Sequence, residues 1–167
     1  MLLKGEDVAY LGVLLGLNQF FIILSSVIET NTIILLAGAA LVVGIVIVEF
    51  GGKSGAVFYI ASCILGFVLT FNKIEFATYI LFFGLYSIVK HLLESKLYKT
   101  ILIYAAKLIF FNLSLAAMYF TVKLFMPLQL AWWMIAAAQL LFIIYDYAFA
   151  VFITAYITHI KTKIRRG

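Results

Sequence analysis

From Val8 to Ile28 the chain runs for 21 residues without one charged side chain. A helix rises about 1.5 Å per residue, so about 20 apolar residues match a hydrocarbon layer ~30 Å thick. Further apolar runs follow at Ile33 to Val48, Ser54 to Phe71, Phe76 to Val89, Thr100 to Val122 and Leu128 to Ile160. Short polar breaks separate them: Glu29-Thr30-Asn31-Thr32, then Glu49 with Gly51-Gly52-Lys53, Asn72-Lys73, Lys90 with His91 and Glu94, and Lys123 with Pro127. Of the 167 residues, 66% are hydrophobic and 11% charged, where a water-facing globule usually carries about 45–50% and roughly 25%. The pattern predicts an all-α integral membrane protein, a bundle of six transmembrane helices forming a single domain over 1–167.

Charge then sets the expected orientation, because cytoplasmic loops retain Lys and Arg. Six spans place Lys4, Lys53, Lys90, Lys96, Lys99, Lys161, Lys163, Arg165 and Arg166 on one side, and only Lys73 and Lys123 on the other. Both termini are therefore expected in the cytoplasm of a multi-pass cell-membrane protein. The basic tail Lys161-Thr162-Lys163-Ile164-Arg165-Arg166 reads as a cluster facing anionic lipid, not as a nucleic-acid patch. The opening Met-Leu-Leu-Lys-Gly-Glu-Asp has too mixed a charge for a signal peptide, and the run after it lacks a small-residue cleavage pattern. Cys63 stands alone in an apolar run and reads as a small hydrophobe, with no disulfide.

Catalytic signatures are missing. Gly51-Gly52-Lys53-Ser54-Gly55 lacks the leading glycine of a phosphate loop, since Ile47 stands there, and reads as a turn. There is no His-Glu-x-x-His and no Gly-x-Ser-x-Gly. His91 and Glu94, one helical turn apart, read as a solvated helix end with a local ion pair involving Lys90. No enzyme activity, cofactor or metal is expected.

Charge inside an apolar helix is costly, so Lys107 and Asp146 stand out. They form a candidate interhelical ion pair, with snorkelling of Lys107 as the equal alternative. Ser114 lies seven residues after Lys107 and Gln139 seven before Asp146, which gives each helix a polar stripe, and Asn18, Gln19 and Asn112 add polar groups at depth. The first helix carries Ala9, Gly12 and Gly16 on one face, a small-residue ridge that admits a close partner helix. Ala37, Ala40 and Gly44 form a comparable ridge on the second. Trp132 and Trp133 suit an interfacial belt.

Six short spans, cytoplasmic termini, the ridge on the first helix and the loop Phe50-Gly51-Gly52-Lys53-Ser54-Gly55-Ala56 resemble the substrate-binding S component of energy-coupling-factor vitamin transporters. The stretch Leu81 to Lys90, with Glu94, Lys107, Phe111-Asn112 and Tyr145-Asp146-Tyr147, resembles small uncharacterised membrane proteins of Gram-positive bacteria. The first resemblance implies a solute-binding transport subunit whose Gly12 and Gly16 dock a transmembrane coupling subunit working with ATPase subunits. Its solute site would be built from Glu29, Asn31, Asn72, Lys73 and Trp133, with Asn18 and Gln139 below them. The alternative is a structural or assembly subunit of a larger membrane complex.

Overall fold

The computed structural model describes residues 5–125 and 131–161, the side chain of Ile160 excepted. Lys4, Pro127, Leu128, Thr162, Lys163, Ile164, Arg165 and Arg166 lie outside the described residues. The described chain is helical: α1 (Gly5–Val27), a 3-10 turn (Glu29–Asn31), α2 (Thr32–Leu69), α3 (Lys73–Lys96), α4 (Thr100–Lys123) and α5 (Trp132–Ala155), which ends in a π turn (Tyr156–Lys161). Two compact units divide it, Met1–Met118 and Tyr119–Gly167.

The second and third expected runs are joined in α2, which is far from straight. Gly51 sits at φ 84 and ψ 167, a region open essentially to glycine alone. Ala39 and Ser62 would be roughly 35 Å apart in a straight helix at about 1.5 Å per residue. In the structure they meet neighbouring residues of α1: Asn18 donates to the Ala39 carbonyl at 2.8 Å and Gln19 to the Ser62 carbonyl at 3.0 Å. The element therefore folds back at Gly51 into two arms, both packed on α1. A Cβ on Gly55 would fall 2.2 Å from the Ile47 side chain, so the arms touch closely beside the reversal.

Leu14 of α1, Val42, Val43, Val46 and Ile47 of the first arm and Phe58 of the second form the apolar centre of the first unit. Asn72 caps α3, its side chain accepting from the Glu75 amide at 3.3 Å. Inside α3 a π turn spans Tyr79–Phe83, and the extra residue in that turn rotates the aromatic set so that Tyr79, Phe82, Phe83 and Tyr86 are all buried. Phe82 packs edge-on to Phe111 of α4, with ring centres 5.3 Å apart.

Among the described residues the expectation of six separate helices is corrected to five, because the second and third runs form one bent element. By length and composition each of the five could cross a membrane, and large apolar side chains such as Val13, Phe71 and Ile101 remain exposed. The interior differs from that of the expected lipid-embedded bundle. Asn18, Gln19, Ser62, Thr70, Ser87, Ser114, Lys90, Lys107 and Asp146 are all buried; Asn18, Gln19 and Ser62 hydrogen-bond to one another, Ser87 donates to the Ala40 carbonyl, and Lys90 and Lys107 share Glu94, a set of buried, partnered polar groups with the character of a globular helical fold. The multi-pass cell-membrane assignment is accordingly not retained, nor is the bilayer as a partner. The cytoplasmic placement of both termini, which rested on six crossings, falls with it.

Candidate functional site

Asn18, Ser62 and Tyr79 come from α1, the second arm of α2 and α3, and their proton inventory can be closed. The Asn18 amide is oriented by the Ala39 carbonyl, which can only accept, so its Nδ2 faces that carbonyl and Tyr79 Oη, the latter at 3.1 Å. Ser62 Oγ lies 2.6 Å from Asn18 Oδ1, an acceptor, and therefore spends its one hydrogen there. Ser62 and Tyr79 are 2.8 Å apart. With the serine proton used, Tyr79 must donate to Ser62 Oγ. The result is a closed ring, Asn18 Nδ2 to Tyr79 to Ser62 to Asn18 Oδ1, in which every hydroxyl both gives and receives. Burial pushes the Tyr79 hydroxyl well above its ordinary range, more than the hydrogen bonds with Ser62 and Asn18 pull it back, which keeps the donor protonated. Gln19 braces the ring by donating to Asn18 Oδ1 at 3.3 Å.

A second polar centre sits where α3 meets α4. Glu94 Oε1 lies 2.7 Å from Lys107 Nζ and 3.2 Å from Lys90 Nζ. Both lysines are buried, Lys107 to 3% exposure, while the Glu94 side chain remains 45% exposed. Lys107 thus has a carboxylate partner in Glu94, thirteen positions earlier in the chain. Asp146 is buried in the second unit.

The residues expected to bind solute are distributed over several elements. Asn18 belongs to the polar ring. Glu29 and Asn31 form the 3-10 turn, where the Glu29 carbonyl accepts from Thr32 Oγ1 at 3.1 Å. Asn72 is the cap of α3. Lys73 donates to the carbonyls of Thr70, at 2.7 Å, and Phe67, and so closes the carbonyl end of α2. Trp133, exposed, and Gln139, half-buried, belong to the second unit.

Ala9, Gly12 and Gly16 of the expected docking ridge are exposed. A Cβ on Gly12 or Gly16 would meet nothing within 4 Å, so neither glycine is spent on packing inside the chain. Gly12 instead helps line a groove of about 460 Å³ between α1 (Val8, Leu11, Gly12, Leu15) and the second arm of α2 (Lys53, Ser54, Val57, Phe58, Ala61). Sequence reasoning found Gly12 but missed the opposite wall, and it missed Ser62 and Tyr79 as well. Ser62, Gly66 and Thr70 recur at helical spacing and form a small, polar stripe, a signal available for the first of these. Tyr79 carried none.

No family model matches the chain, and neither a curated protein nor a solved structure matches it. The buried polar residues and the Lys90–Glu94–Lys107 ion pairs overturn the resemblances to energy-coupling-factor S components and to small membrane proteins of Gram-positive bacteria, and with them the transport role, its coupling and ATPase partners and its solute, as well as the alternative of a structural or assembly subunit of a membrane complex.

Proposed function

We propose that this chain is a binding protein, not an enzyme, and that it holds an apolar chain in the groove between α1 and the second arm of α2. The groove carries this reading. Its volume of about 460 Å³ falls within the roughly 300–1,000 Å³ of small-molecule sites, which are mostly apolar with a few placed polar groups. Phe58 is buried as part of the core, so the floor is fixed by the same packing that holds α1 on α2. The polar ring supports a non-catalytic reading as well, since its hydroxyls are engaged in joining three helices.

Gly12→Leu tests the proposal. The new side chain enters open space and fills the groove, and leucine is favoured over glycine in a helix by about 1 kcal/mol or slightly less. The variant should fold at least as well as the parent and lose binding of a photoreactive alkyl probe at Val8–Leu15 and Lys53–Ala61, mapped by peptide mass spectrometry. Unchanged labelling of these segments would overturn the reading.

A further inference from the structure

The two walls of the groove run in the same direction. Tyr10 lies beside Phe50, the rings tilted and their centres 6.1 Å apart, while Gln19 bonds to Ser62, so α1 and the second arm both start at the Lys53 end. The polar lining is not spread along the groove. Lys53 and Ser54 stand at its first turn, and the rest is Val8, Leu11, Gly12, Leu15, Val57, Phe58 and Ala61. Lys53 is exposed, and it is the one ionisable group among the described lining residues. Glu6 and Asp7 lie in the first turn of α1 at the same end but do not line the groove. From Lys53 to Ala61 the helix rises roughly 12 Å at about 1.5 Å per residue.

An apolar slot whose described lining carries a cation and a hydroxyl at one mouth is complementary to a molecule with one tail and one negative head. Building on the reading of the groove as an apolar-chain site, we infer that its ligand is a single-chain monoanionic amphiphile such as a long-chain carboxylate. The carboxylate sits on the Lys53 ammonium and the Ser54 hydroxyl, and the chain runs along Gly12 and Val57 toward Ala61. The apolar walls supply affinity and the mouth supplies selection, because an exposed cation changes binding modestly and does so in a salt-dependent way.

The test uses the full-length protein in a non-ionic detergent, with dodecanoate and dodecanol competing for displacement of the photoreactive alkyl probe from the two groove segments. Dodecanoate should compete about fivefold better than dodecanol at low salt, an order of magnitude expected for one exposed charge pair. That advantage should shrink in high salt and vanish in Lys53→Met, with dodecanol unchanged. Equal competition by the two in the parent protein, with labelling lost in Gly12→Leu, would overturn the carboxylate inference and leave the groove reading standing. Labelling that neither compound displaces and that Gly12→Leu does not reduce would overturn both. Retained preference for dodecanoate in Lys53→Met would also overturn the inference.

Discussion

Replacing Tyr79 by phenylalanine removes one oxygen from the centre of the first unit and keeps the ring stacked on Phe76, 6.1 Å away. The loss falls on two partners at once. Asn18 keeps a hydrogen that had pointed at Tyr79 Oη at 3.1 Å, and Ser62 Oγ loses the donor that stood 2.8 Å away. Both residues are fully buried, so water cannot replace the missing oxygen without opening the packing. An unsatisfied buried group costs about 1–3 kcal/mol, and a chain of this size loses roughly 2–4 °C of Tm per kcal/mol. Tyr79→Phe should therefore lower the melting temperature by about 4–8 °C, taking the middle of that range, read by circular dichroism of the full-length protein in non-ionic detergent. Ser62→Ala should cost a similar amount. Because either change opens the same ring, the double variant should lose about 1 kcal/mol less than the two singles together. Strict additivity, or a loss under about 0.5 kcal/mol for Tyr79→Phe, would refute the closed ring.

Other expectations follow from single contacts. Glu94→Gln removes the carboxylate that two buried lysines share but acts at a half-exposed side chain, so it should cost about 1–2 kcal/mol, less than a fully buried broken pair. Lys107→Met should relieve part of that loss in the double variant, and additive losses in urea unfolding would show that the two groups act separately. Gly51→Ala forces a side chain into a glycine-only conformation and should cost about 1–3 kcal/mol by the same denaturation. An unchanged midpoint would mean that the arms reverse elsewhere. Gly66→Ala places a Cβ 2.5 Å from the Phe76 ring and should destabilise by about 1–3 kcal/mol, whereas Gly12→Ala, with open space around it, should stabilise by roughly 0.5–1 kcal/mol. Equal effects at the two glycines would contradict their different surroundings.

The helical content and most of its punctuation were legible because apolar runs and polar breaks are local properties. Gly51-Gly52-Lys53 marked the reversal inside α2, and Lys123 marked the end of α4. What a run of residues does not state is its neighbour. Lys107 was visibly costly, yet its contact with Glu94 was not legible, because Glu94 sat in a segment that reads as a solvated helix end. Asn18 was visible as a polar residue at depth and was placed below a solute site. Its actual partners Ala39, Ser62 and Tyr79 are 21, 44 and 61 positions away, and helical periodicity names a face without naming what covers it. The groove was half legible for the same reason: Gly12 announced a bare surface, while the opposite wall depended on where the second arm of α2 came to rest.

The reversal at Gly51 also sets an order of assembly. By Leu69 a growing chain already holds α1 and both arms of α2, and their contacts, 21 positions apart at Asn18–Ala39 and 44 at Asn18–Ser62, need nothing from α3. Tyr79 arrives later, on α3. Until then Asn18 and Ser62 have each other, Gln19 and the Ala39 carbonyl, with a position left for one more hydroxyl. The first three helical segments can therefore come together as an early, nearly complete unit whose polar centre stays open, and the docking of α3 is recorded there by a single side chain.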